Sequence, residues 1–193
     1  AYEIPLRLVG SEMCIRDRWV KKRNDTSNWT VYNKGFNGGT NPEQYYLHLD
    51  ESVAENTGSD KWNDTAPTST HFTIGYSNSV NENTHTFIAL LFASTDVSKV
   101  GYYAGTDYAQ TITTGFSRRF LIIKNISDTG NWITFDTTRG WGAGNDKYLY
   151  VNSNAAQNGA WDWGAPTSTG FTLTSVNSEY NDGRYNYIYY AHA

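Results

Sequence analysis

The sequence predicts an all-β chain made of tandem β-sandwich repeats of about 100 residues, the first of them truncated. Three observations lead there. Short apolar runs alternate with a period of two, turn residues separate them every few positions, and segments of the first half return in order in the second.

The second half shows the strands most fully. Gly101–Ala104, Gln110–Thr114, Phe120–Ile126, Trp132–Asp136, Tyr148–Val151, Phe171–Val176 and Tyr187–Ala191 each read as strands. Phe171 and Leu173 alternate with threonines, which is the pattern of a half-buried strand. FLIIKNI, from Phe120, is apolar on both faces and predicts a central strand. In the first half, Phe72, Ile74 and Tyr76 alternate in the same way, and FIALLFA (Phe87–Ala93) reads as a second central strand. SDTGN, GAGND and NDGR lie between strands and place Gly, Asn or Asp where a positive φ is needed. No stretch of ten residues keeps a helical period. ESVAEN and NSNAAQN are each long enough for one helical turn. Short strands with frequent turns indicate a sandwich.

Four pairs of segments carry the repeat. DTSNWTVY (Asp25–Tyr32) aligns with DTGNWITF (Asp128–Phe135), and QYYLHLDESVAEN with DKYLYVNSNAAQN. APTSTHFT (Ala66–Thr73) aligns with APTSTGFT (Ala165–Thr172), and FIALLFA with YIYYAHA (Tyr187–Ala193). Constant order and nearly constant spacing point to duplication. The second copy opens with KVGYYAG at Lys99. Its counterpart in the first copy should precede Trp19, where an unrelated stretch stands instead.

That stretch, Leu8–Arg18 (LVGSEMCIRDR), holds the only methionine, Met13, and the only cysteine, Cys14. LVGSEMCIRD resembles a translated reading frame of a transposon-based sequencing adapter. A signal peptide does not fit, because Glu12, Arg16, Asp17 and Arg18 interrupt any apolar region. The expected organisation is therefore an artefactual segment 1–18, a truncated repeat 19–93, a linker 94–98 and a fuller repeat 99–193. Residues 1–18 are electrically neutral, so the net charge of −4 belongs to the remainder. A mildly acidic chain lacks the basic patch of a nucleic-acid binder. With Cys14 set aside, disulfides and cysteine-ligated zinc are excluded, and no apolar run approaches the roughly 20 residues of a membrane span.

VGYYAGTD, TITTGFSRRFLIIKN, DTGNWITFDTTRG, GNDKYLYVNSNAAQN and YIYYAHA together resemble a repeat domain of uncharacterised structural proteins of tailed bacteriophages, common in marine viral sequences. The resemblance covers Trp19–Ala193. It implies a concanavalin A-like or jelly-roll sandwich and a place on the virion, in tail or fibre, after assembly in the bacterial cytoplasm. It supplies no catalytic residues.

Asp50, Glu51 and Glu55 suggest the paired acids of a glycoside hydrolase, but Asn152, Ser153 and Gln157 stand at the matching positions of the second copy. They read as a solvated turn. His48, His71, His85 and His192 show no metal-ligand spacing. Turns such as Gly144-Asn145-Asp146 and Asn181-Asp182-Gly183 offer oxygens of the kind calcium takes, leaving calcium as the open alternative to the expectation of no cofactor.

The aromatic residues remain. Trp29 aligns with Trp132 and Trp62 with Trp161, which marks all four as scaffold. Trp141 aligns loosely with Phe36, and Trp163 stands opposite Asp64. An indole on a loop can cover the C–H face of a sugar, so Trp141 with Arg139, Asn145 and Asp146, and Trp163 with Asp162, are the candidate glycan-binding residues. The competing reading folds these indoles back over the sandwich edge. Function is expected to be non-catalytic: a virion structural or adhesion module whose partners are other virion proteins, a host-surface glycan and further copies of itself. The alternatives are a carbohydrate-active enzyme or its binding module, and a secreted adhesin.

Overall fold

The computed structural model describes residues 2–5, 15–142, 144–174 and 177–193. In the first half the strands are β1 (Tyr2–Pro5), β2 (Ile15–Lys22), β3 (Thr30–Asn33), β4 (Tyr45–His48), β5 (Asn56–Thr57), β6 (His71–Ile74) and β7 (Phe87–Ala93). In the second they are β8 (Ser98–Ala104), β9 (Gln110–Thr113), β10 (Phe120–Asn125), β11 (Trp132–Asp136), β12 (Tyr148–Tyr150), β13 (Gly170–Leu173) and β14 (Asn186–His192). All seven strands expected after residue 98 are present. The expected extension of the sixth to Val176 lies partly outside the described residues. ESVAEN and NSNAAQN are not helical. Among the described residues the one α-helical turn, α1 (Ser59–Trp62), lies just beyond the first of them, and 3-10 turns cover Phe36–Gly39, Pro42–Gln44 and Thr137–Arg139.

Two large antiparallel sheets run in the orders β5-β4-β3-β2-β7 and β12-β11-β10-β14-β8, and two smaller ones pair β1 with β6 and β13 with β9. Alternation of side chains across each strand builds three apolar layers between them. Val20 and Tyr32 of the first large sheet face Ile74 of β6, with Trp62 and Val80 closing the layer. Leu121, Ile123, Ile133, Phe135 and Tyr187 of the second face Phe171 and Leu173 of β13. The large sheets meet through Val31 and Leu47 against Ile122, Trp132 and Ile188. β10 is central and buried on both faces, as its uninterrupted apolar run predicts.

The ladders of the two halves follow one register. Asp17↔Phe92 through Lys22↔Phe87 in the β2–β7 pair match Phe120↔His192 through Asn125↔Tyr187 in β10–β14, residue for residue. Arg18↔Tyr32 and Trp19↔Val31 match Leu121↔Phe135 and Ile122↔Thr134. Asp50 Oδ1 accepts the Trp29 amide at 3.0 Å, and Asn152 Oδ1 accepts the Trp132 amide at 2.8 Å.

Three expectations need correction. FIALLFA is an edge strand, β7, because no strand among the described residues takes its second side. The boundary at Trp19 falls inside β2, which begins at Ile15 and is hydrogen-bonded to both neighbours. The linker over 94–98 is a tight turn, with the Thr95 amide donating to Ser98 O at 2.8 Å, and β8 already starts at Ser98.

β2 also carries the fold's most unusual burial. Arg18 is fully enclosed, its guanidinium carbon 4.1 Å from the Tyr32 ring centre and 4.2 Å from that of Trp62. None of its three nitrogens has a hydrogen-bond partner among the described residues. Desolvation pulls its pKa down to about 9. Asp17, on the opposite face, accepts one bond from Trp19 Nε1 at 3.3 Å and is pushed up to about 7 by desolvation.

Candidate functional site

The loops beyond β11, β12 and β13 bring most of the candidate residues into one region, but sort them differently from the expectation. Trp141 is buried against Phe135 and Phe171, and its indole N–H donates to Gly164 O at 3.0 Å. Trp163 is buried among Phe135, Tyr148 and Tyr180, 4.5 Å from the last ring centre. Neither indole offers a face to solvent, so neither is a sugar platform. Both are core residues, and the reading that folds them back over the edge is the correct one.

Asp146 is buried too. Its carboxylate accepts the amides of Gly142 at 2.9 Å, Trp163 at 2.7 Å and Gly164 at 3.2 Å, which ties the two tryptophan loops together. Burial raises its pKa, and these three amides pull the other way. Arg139, Asn145 and Asp162 are exposed. Arg139 Nη1 reaches Gln157 Oε1 at 3.2 Å, and Asp162 Oδ1 accepts the Gly164 amide at 3.1 Å.

The exposed indole is Trp161, at 66%. It was aligned with Trp62 and so assigned to the scaffold, which the packing corrects. Trp62 lies edge-on to Tyr32 at 6.0 Å, and it is Trp163 that lies against Phe135, the residue matching Tyr32, at 5.7 Å. Trp161 is free of that duty. Its carbonyl accepts the Asp146 amide at 2.8 Å, so the ring stands on a backbone fixed to the buried carboxylate's own residue. Asp162 follows it, and Asn145 precedes the pinned amide.

The first half has a cleft of about 600 Å³ built from the corresponding loops, lined by Gln44, Thr57, Gly58, Ser59, Asp60, Asp64 and Tyr76. Tyr76 was expected to continue the alternation of β6. It lies two residues past the strand and is 75% exposed. The walls are held by Gly75 N to Lys61 O at 2.7 Å and Ser77 N to Asp60 O at 3.1 Å. Gly75 is required there, since a Cβ would come within 2.0 Å of Asp60 O. Lys61 Nζ donates to Ser77 Oγ at 2.7 Å and lies 3.6 Å from Asp60 Oδ2. The cleft thus combines a free aromatic ring with carboxylate, amide and hydroxyl groups.

The acids weighed for hydrolysis support the loop around them. Asp50 holds the Trp29 amide, and Glu51 accepts Asn28 Nδ2 at 2.5 Å. Glu55 accepts the Asn37 amide with both oxygens, at 3.1 and 2.9 Å, and burial pushes its pKa up to about 7. Among the described residues no three His, Cys, Asp or Glu side chains gather in a way that could hold a metal ion. No helix among them is long and apolar enough to cross a membrane.

A family model described as a domain of unknown function (DUF7483) matches residues 9–193. The chain belongs to that family. The match starts inside the adapter-like stretch and runs through both halves of the chain. Neither a curated protein nor a solved structure matches the chain.

Proposed function

We propose that this DUF7483 chain is a non-catalytic structural and adhesion protein of a tailed-phage virion, built from a duplicated sandwich unit, and that it holds a surface glycan on the loops at one end of each unit. The matched ladder registers support the duplication, and the likeness of its segments to phage structural repeats supports the setting. The observation that carries the binding role is the exposed Tyr76 at a polar cleft, with the exposed Trp161 on the corresponding loops of the second half. An exposed aromatic face covers the apolar side of a pyranose, while Gln44, Asp60 and Asp64 meet its hydroxyls. Both rings stand on backbone pinned by hydrogen bonds, so little order is lost on binding.

A glycan array probed with the full chain tests this. Binding should fall with Tyr76→Ala and with Trp161→Ala, while both variants keep the parent's stability within about 0.5 kcal/mol, as surface changes do. If no glycan binds, or both variants bind as the parent does, the adhesion role is wrong and a purely structural role takes its place.

A further inference from the structure

The cleft beside Tyr76 is uneven in charge. Asp60 and Asp64 line it, and among the described residues no lysine, arginine or histidine does. The adjacent cation, Lys61, is held to one side. Its Nζ donates to Ser77 Oγ at 2.7 Å, lies 4.8 Å from the Tyr46 ring centre and is 3.6 Å from Asp60 Oδ2. Asp60 is therefore partly balanced. Asp64 is exposed and makes no hydrogen bond or ion pair among the described residues. It stands in a left-handed turn just past α1, with φ 55° at Asn63 and 46° at Asp64. Backbone ties bring the aromatic wall to the acidic one: the Ser77 amide, next to Tyr76, donates to Asp60 O at 3.1 Å. The loops at Trp161 are built differently. Asp162 is engaged by the Gly164 amide, and Lys147 Nζ lies so near Gly159 that a Cβ there would come within 2.6 Å of it.

We propose that the first-half cleft selects glycans that carry a free amino group, as deacetylated hexosamines do, over N-acetylated and acidic ones. The inference rests on the glycan-binding reading above and names the sugar class for one of its two sites. An ammonium group needs what this cleft leaves unused: the carboxylate of Asp64 and the exposed face of Tyr76, whose ring attracts a cation. An acetamide in the same place brings no charge to Asp64. A uronic acid sets carboxylate against carboxylate, which is a repulsive element of selectivity. Gln44, Thr57 and Ser59 supply donors and acceptors for the hydroxyls of the same ring. At Trp161 the acid is engaged and a lysine stands close, so the preference belongs to the first half.

The test uses the full chain carrying Trp161→Ala, so that the first-half cleft alone is read. Its ligands are labelled oligosaccharides of equal length made of glucosamine, N-acetylglucosamine or galacturonic acid. In a mildly acidic buffer that keeps the amine charged, fluorescence anisotropy should show the glucosamine oligomer binding about tenfold tighter than the N-acetylated one. That is the combined worth of an exposed ion pair and an exposed cation–π contact. The galacturonic acid oligomer should bind most weakly, and added salt should narrow the differences. Asp64→Asn keeps the side chain's shape, and asparagine accepts the same positive φ. In that variant the glucosamine and N-acetylated oligomers should bind alike, whatever their common affinity. Equal binding of the two before that change overturns the inference and leaves the glycan-binding reading standing. A preference that survives Asp64→Asn overturns it too. So does equal binding of a lysine oligomer of the same charge, since charge alone would then suffice. Absence of binding by all the sugars overturns both the inference and the reading beneath it.

Discussion

β7 and β14 occupy the same place in two sheets whose ladders coincide, yet the more apolar strand is the more exposed. FIALLFA leaves Ile88, Ala89 and Leu90 in solvent, while NYIYYAH buries Tyr187, Ile188 and Tyr189. Burial of a strand is set by what lies on each side of it as much as by its own residues. β8 covers β14, and among the described residues β7 has only β2. A second contrast lies one strand inward. Phe120 and Leu121 of β10 fill apolar layers, and the matching positions of β2 hold Asp17 and Arg18.

The largest effect should come from the interface between the large sheets. Trp132 is buried and donates its indole N–H to His48 O at 3.0 Å, while the matching Trp29 is only half-buried. Trp132→Ala should cost about 3–5 kcal/mol in denaturant unfolding, and Trp29→Ala distinctly less. Equal losses would break the comparison of the two halves.

Next is the pair in β2. Asp17 and Arg18 lie on opposite faces of β2, so each carries its desolvation cost, several kcal/mol per buried ion, without the other as a partner. Among the described residues Arg18 has no hydrogen bond to lose and Asp17 has one. Asp17→Phe with Arg18→Leu, which copies Phe120 and Leu121 into the first sheet, should therefore raise the unfolding midpoint. A lowered midpoint would mean that the cation stacked on Tyr32 and Trp62 belongs to the fold's design.

A smaller effect is the pH dependence. Asp17 and Glu55 are both raised to about 7 by desolvation, so the folded state favours their protonated forms. Their contribution is full below about pH 4 and is lost as pH rises through 7. Lys124, lowered to about 8 by burial, acts in a higher window: its contribution is present at high pH and is lost as pH falls through 8. Asp17→Asn should flatten part of the decline between pH 4 and 7, and Glu55→Gln the rest.

Much of the second half was legible because its signals are local. Alternation in Phe171–Leu173, the double-faced apolar run at Phe120 and the Gly- and Asn-rich turns fixed its strands without reference to neighbours. Sheet order is not local, which is why FIALLFA and FLIIKNI look alike in sequence and differ in the fold. The tryptophan exchange has a similar origin. Aligning Trp62 with Trp161 follows the flanking residues, but the loops differ in path, and only packing against Tyr32 and Phe135 reveals Trp163 as the match. The cleft at Tyr76 was missed because its lining comes from segments on either side of α1 and from the end of β6. The one available signal was an aromatic ring just past a strand, next to Gly75. Residues 15–18 were set aside on their resemblance to an adapter. Nothing in IRDR announces a buried strand, since two arginines and an aspartate are placed there by the ladders alone.

Amide hydrogen exchange on the full chain bears most directly on the contrast between β7 and β14. In β14 every amide lies between β10 and β8, so protection should run along the whole strand. In β7 only the amides facing β2 should be protected, and those of the opposite parity should exchange much faster, giving an alternating pattern from Phe87 to Ala93. Uniform protection of β7, equal to that of β14, would contradict the difference between the two strands.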